Sequence, residues 1–281
     1  MPHIAIITDS TAYLPPDLVK RYSIKVIPLK IHWGEETLLD GVDITPAAFY
    51  DRLEARDDIP TTSQPSTNDF LQAFDELATG CDGIVALLVS SGISGTVASA
   101  QAAAAQFTKA PVEVVDSFST TGGLALAVLA AAGAVEQGRS LGEVAQIARD
   151  VAQKLHVFFV VDTLKYLQKG GRIGGASRYL GTMLGIKPIL FMNQEGKIDA
   201  LERVRTKQKA LARLSELAEE KAGKQPVNAS IFHSNAAKEA ATFQARLAKR
   251  IQCEEIHTFE LSPVIGVHVG PGTIGVALYV K

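Results

Sequence analysis

Residues 83–89, Gly-Ile-Val-Ala-Leu-Leu-Val, form a run without one polar side chain. A strand of this kind cannot leave either face to water, so it belongs inside a parallel sheet covered by helices on both sides. The rest of the chain repeats that theme. Short apolar runs at 3–7, 24–31 and 112–115 read as strands, and segments 17–22, 46–54, 69–79 and 95–107 read as helices by their apolar spacing or Ala content. Segment 120–135 is rich in Ala and Gly and falls short of the roughly 20 apolar residues that span a bilayer. It reads as a buried helix, carried on to about residue 137 and followed by another over 141–154.

The pattern then restarts with the strand VFFVV at 157–161. At about 150 residues per domain, 281 residues make two domains, here divided near Leu155 into 1–155 and 156–281. The second half is expected to hold a hairpin, 186–192 with 197–205, around the turn Gln194-Glu195-Gly196. A basic amphipathic helix at 206–222, strands at 227–233, 254–261 and 273–280, and a helix at 236–251 complete it. The predicted fold class is α/β, each domain having a mostly parallel or mixed sheet flanked by helices.

Charge and cysteine content narrow the function classes. Lys plus Arg is 28 and Asp plus Glu is 30, a net of −2, so no global field attracts nucleic acid. Cys81 and Cys253 lie far apart without a CxxC or Cys/His pattern, which supports neither a disulfide framework nor a zinc site and fits a reducing cytoplasm. The start, MPHIAIITDS, has no basic segment or cleavage site of a secretory signal, again an expectation of a cytoplasmic protein without a transmembrane segment. None of the six histidines stands at metal-ligand spacing from another ligand.

Polar residues punctuate the strand ends. Thr8-Asp9-Ser10 follows the first strand and Asp116-Ser117 the strand at 112–115, at the edge where open α/β sheets place ligands; the same residues also make ordinary capping turns. The strand at 83–89 runs into Ser90-Ser91-Gly92-Ile93-Ser94-Gly95-Thr96 at the start of a helix. Backbone N–H groups, hydroxyls and a helix N-terminus converge there, a chemistry suited to a carboxylate or phosphate as well as to a simple N-cap. The loop lacks the Gly-Lys-Ser/Thr of a Walker A motif and the GxGxxG fingerprint. A second hydroxyl-rich loop is Thr61-Thr62-Ser63-Gln64-Pro65-Ser66, and His268 stands among small and apolar residues, a setting equally suited to a core histidine. Basic residues gather in the second half, with Lys165, Lys169, Arg172 and Arg178 near GGRIGG, then Arg203, Arg205, Lys207 and Lys209. They make either a solvated surface or a docking face, and Arg172 between glycine pairs would be freely presented.

Taken in order, these motifs resemble the DegV family of bacterial fatty acid-binding proteins, the lipid-carrying subunits of fatty acid kinase. The match runs through TDS at 8–10, TTSQPS at 61–66, SSGISGT at 90–96, DS at 116–117, LKYL with KGGRI at 164–173, KPIL at 187–190, RVRT at 203–206, PVIGVH at 263–268 and GPG at 270–272. It covers the whole chain. One departure is Val97, where the family's aromatic follows S-G-T.

The resemblance implies a fatty acid held between the two domains, its carboxylate bound by Thr62, Ser63, Ser94 and His268, with Gly95 in the same turn and Ser91 as an alternative to Ser94 for the nearer hydroxyl. It implies a non-catalytic carrier without cofactor, monomeric when free, that presents the carboxylate to a separate ATP-dependent kinase, with Arg172 and Arg205 docking that partner. Two other readings share the same residues: a stand-alone lipid transport or sensing protein, and a serine hydrolase using Ser94 and His268. The hydrolase would need a G-x-S-x-G elbow, which S-G-I-S-G-T is not.

Overall fold

The computed structural model describes residues 3–56, 58–182 and 185–281. Its first sheet is parallel and four-stranded, in the order β2 (Lys25–Ile27), β1 (Ile4–Asp9), β6 (Gly83–Leu88), β7 (Val112–Asp116). All six residues of β6 are buried, as its composition requires. The pleat sends Ile84, Ala86 and Leu88 to one face, against Phe70 and Phe74 of α3 (Thr67–Ala78) and Ala100 of α4 (Thr96–Ala104). Val85 and Leu87 go to the other face, against α5 (Thr121–Glu136) and α6 (Leu141–Lys154). Helix α1 (Pro16–Arg21) covers the connection from β1 to β2.

A small antiparallel sheet, β4 (Glu36–Leu39), β3 (Lys30–Trp33), β5 (Thr61–Ser63), lies beside it, with α2 (Pro46–Glu54) packed on it. Two expectations are corrected here. The run 24–31 is two strands in two sheets, because Pro28 has no N–H to continue a ladder and the chain turns at that point. The hydroxyl-rich segment after residue 60 is not wholly loop, since Ile31 pairs with Thr62 and Lys30 with Ser63.

The third sheet is mixed and six-stranded: β10 (Ile198–Val204), β9 (Lys187–Met192), β8 (His156–Val160), β13 (Ile274–Val280), β11 (Val227–His233), β12 (Cys253–Glu260). Its alternation is again legible. Phe158, Val160, Ile231 and Val276 face α8 (Lys207–Ala222) and α9 (Ala237–Leu247), whereas Val157, Phe159 and Phe232 face the first half of the chain. Short α7 (Lys165–Lys169) and a 3-10 segment, Gly174–Thr182, follow β8.

Helix α5 explains how the sheets are joined. Eleven of its residues are buried, among them all of 121–128, and it touches β1 and β6 on one side and β11 and β13 on the other. Two glycines in its first turn permit that approach: a Cβ on Gly122 would stand 2.1 Å from Ser230 Oγ, and one on Gly123 would stand 3.1 Å from Val157. A second link is α10 (Pro263–Val269), a helix the sequence reading passed over. Ser262 caps it, accepting from the Ile265 N–H, and Val264 and Val267 pack into the cluster of Trp33, Phe49 and Tyr50. Thus a helix from the second half completes the core beneath the small sheet of the first. No described helix is long and apolar enough to cross a membrane.

Candidate functional site

A cavity of about 770 Å3, counted with the space that opens to solvent, lies where the strand ends of the first sheet, α10 and the inner face of the six-stranded sheet converge. Much of its wall is hydrocarbon: Val89, Val157, Phe159, Phe232, Leu261 and Ile265. One group of its polar side chains, the polar end, comes from four different segments. β5 brings Thr62 and Ser63, the loop before α4 brings Ser94, α10 brings His268, and the turn after α7 brings Arg172.

Contacts bind this end together. Thr62 Oγ1 and His268 Nε2 are 2.9 Å apart, across 206 residues of sequence. His268 Nδ1 is buried without a hydrogen-bond partner and packs against Gly170, where a Cβ would come within 2.1 Å of it. Any other residue at 170 would displace the ring. Burial, reinforced by the nearby Arg172 guanidinium, pushes the His268 pKa down to about 4, so the imidazole is neutral at pH 7. A neutral ring offers one N–H and one lone pair, and the Thr62 hydroxyl can satisfy either role at Nε2.

The serine loop divides its hydroxyls between inside and outside. Ser94 lines the cavity, its Oγ 2.9 Å from Thr96 Oγ1 and accepting from the Thr96 N–H at 3.4 Å. Ser91 is exposed, and its N–H donates to the Asp116 carboxylate. Of the two, Ser94 is the one the fold turns toward His268's cavity. Gly95 sits at the N-cap of α4, tight against the Gln64 amide, where a Cβ would stand 2.8 Å from Nε2. Ser63 is also bonded outward, to His32 Nε2 at 2.8 Å.

Arg172 is held rather than freely presented. Its Nε donates to the Ile93 carbonyl at 3.1 Å and Nη1 to the Gly170 carbonyl at 2.8 Å, so it ties the serine loop to the turn behind His268. The glycines flanking it provide the turn, with Gly171 at φ +69°, and leave the guanidinium to fold back. Three of its five N–H donors remain for other partners. Arg205 is exposed just past β10 and is not part of the cavity wall.

The two other strand-end motifs are bonded internally. Asp9 accepts from the Thr11 N–H and hydroxyl and from the Val89 N–H, at 2.6 to 2.9 Å. Ser10 donates to Asp40 at 2.6 Å, and Asp116 caps its own turn through the Phe118 N–H. Sequence reasoning missed Thr11, Gln64, Thr120 and Thr121, all of which line the cavity. The pair Thr120-Thr121 before Gly122-Gly123 was the available signal, a hydroxyl pair at the mouth of a helix otherwise made for burial.

Comparison with known proteins agrees with this architecture. The family model described as "Uncharacterised protein, DegV family" matches residues 3–281. A DegV domain-containing protein of Streptomyces coelicolor is 39% identical over 278 residues, 98% of each chain. Among solved structures, a DegV family protein from Thermus thermophilus, reported for its fatty acid binding, superposes with a TM-score of 0.94 at 36% identity, over 99% of this chain and 100% of that one. DegV of Bacillus subtilis, described as a fatty acid binding protein, gives 0.90 at 32% identity over the full length of both. The chain therefore belongs to the DegV family.

Proposed function

We propose that the protein binds one long-chain fatty acid in this cavity, with the carboxylate at Thr62, Ser94 and His268 and the acyl chain along the apolar walls. The observation that carries the reading is one cavity that joins a hydrocarbon wall to Thr62, Ser94, His268 and Arg172. Burying fifteen or so CH2-sized groups at ~0.8 kcal/mol each favours binding by about 12 kcal/mol before association and ordering costs. The head group needs several donors at once, since a carboxylate with a reference pKa near ~4.3 is ionised at neutral pH. Hydroxyls, a neutral imidazole N–H and the nearby Arg172 guanidinium answer that need. The fatty acid binding reported for the Thermus and Bacillus relatives supports the same ligand class.

The finer role is that of a carrier which performs no chemistry alone and presents the carboxylate to a separate ATP-dependent kinase. A carboxylate oxygen would attack the γ-phosphorus of ATP, the bond to the β-phosphate oxygen would break, and acyl phosphate and ADP would form. The family resemblance supports this role, together with Arg172 beside the polar end and the exposed Arg205 nearby in sequence to the other basic residues of β10 and α8. The test is to denature purified protein in organic solvent and analyse the extract by mass spectrometry, then to supply loaded protein with ATP and a fatty acid kinase catalytic subunit. Free fatty acid at close to one per chain, of about sixteen to eighteen carbons, is expected, followed by its conversion to acyl phosphate. Recovery of a nucleotide or sugar phosphate instead would refute the lipid reading; lipid without conversion would refute the kinase role and favour a stand-alone lipid transport protein.

A further inference from the structure

The start of α5 has unmet hydrogen-bonding capacity inside the cavity. Thr120 is its N-cap residue but makes no side-chain capping bond, and the Oγ1 atoms of Thr120 and Thr121 are both buried without a partner. Both residues line the cavity, and Thr121 is only 5% exposed. Directly behind them Ser230 Oγ is also buried and unpartnered, against Gly122. Thr121 holds φ at +51°, a conformation that a β-branched residue rarely adopts. A hydroxyl buried in this way weakens the fold unless something bonds to it.

This spot stands on elements other than those that hold His268, with the Ser90 N–H donating to the Ser119 carbonyl beside it. The first turn of α5 rests on Ser230, Phe232 and Val157, strands of the six-stranded sheet, whereas His268 rests on Thr62 and Gly170. Among the described lining residues Arg172 is the one permanent cation, and it is tied to Ile93 and Gly170. Hydroxyl groups among Val157, Phe159 and Phe232, with no further cation among the described lining residues to balance a second charge, suit a neutral oxygen that needs no counter-ion.

We infer that the cavity contains a second polar subsite at Thr120 and Thr121, which accepts a hydroxyl or carbonyl oxygen carried on the acyl chain. The inference rests on the fatty acid reading and deepens it, assigning the protein a preference for chains oxygenated at a particular distance from the carboxylate. In a wholly apolar channel an added hydroxyl weakens binding at every position along the chain. With this subsite one stretch of positions is spared.

The experiment measures the affinities of delipidated protein for stearic acid and for a series of eighteen-carbon acids bearing one hydroxyl at successive positions, by calorimetry. One region of the series is expected to bind within about threefold of stearic acid or tighter, and the remainder about tenfold or more weaker. In Thr121→Val, which keeps the β-branched shape, the ratio of the favoured hydroxy acid to stearic acid should fall about tenfold, and in Thr121→Ser it should recover. A uniform penalty at all positions, or a preference that survives Thr121→Val, overturns the subsite while leaving fatty acid binding intact. Failure of stearic acid itself to bind overturns the fatty acid reading, and the subsite with it.

Discussion

The ends of β1 and β6 are neighbours in one parallel sheet and carry similar residues, yet the fold uses them in opposite ways. At the end of β1, Asp9 and Ser10 are satisfied within the protein: Thr11 and the Val89 N–H bond to Asp9, and Ser10 joins Asp40 to the Leu29 N–H. At the end of β6, the Ser94 hydroxyl bonds only to Thr96 among the described residues and turns toward a cavity it shares with His268. Hydroxyl-rich loops after parallel strands are therefore two kinds of object. One closes the structure, and the other faces a site. What separates them is whether a partner with matching donors lies within reach, and that depends on elements far away in sequence.

The contrast is sharpest in stability. Asp9→Ala would leave two N–H groups and a hydroxyl buried without an acceptor, so unfolding free energy in urea should fall by about 3 to 5 kcal/mol. A loss below about 1 kcal/mol would show that the end of β1 is no more structural than the serine loop.

Asp40 gives a subtler measure of the same region. Its carboxylate accepts from the Ser10 hydroxyl and the Val264 N–H, and so ties α10 to the first half. Burial, helped by the nearby charge of Asp9, nevertheless pushes its pKa up to about 7. The folded state holds this proton more tightly than the unfolded chain does, so Asp40's contribution is fully present below pH ~4 and is lost as pH rises through about 7. Because other groups titrate in the same range, the useful quantity is the difference between wild type and Asp40→Asn. That difference should shift against the wild type by about 4 kcal/mol between pH 4 and pH 8, measured by urea unfolding at each pH. A pH-independent difference would mean that the carboxylate is ionised throughout.

The smallest effect belongs to the cavity side. Ser94→Ala should change unfolding free energy by less than about 0.5 kcal/mol and weaken fatty acid binding by roughly five- to tenfold, the consequence of losing one hydrogen bond to a charged group. Titration with labelled palmitate measures it. Unchanged affinity, or a stability loss like that of Asp9→Ala, would erase the distinction between the two strand ends.

Much of this was legible in one dimension. The unbroken apolar run of β6 required a strand buried on both faces, and the alternation of Val157 and Phe159 with Phe158 and Val160 required two covered faces in the second half. Pro28 was visible too, although the apolar run around it suggested one strand instead of two. α10 was not legible: Pro263–Val269 has neither a polar face nor helical spacing, because nearly every residue in it is buried and the usual amphipathic signal is erased.

The candidate site divides along the same line. The order of the motifs along the chain carried the family resemblance, and that resemblance implied Thr62, Ser63, Ser94 and His268 as the carboxylate's partners; residue type alone left His268 equally suited to a core. The sequence could not separate Ser91 from Ser94, which differ only in which side of one loop they occupy, nor show that Arg172 folds back onto Ile93. The second of these facts depends on the Arg172 turn meeting the serine loop across the two halves of the chain. Local pattern determined strands, helices and the kinds of side chain on offer, because these depend on neighbours a few residues away. Only tertiary structure decided which hydroxyls would be paired, since a hydrogen bond depends on distances of a few ångströms between residues separated by as many as 206 positions.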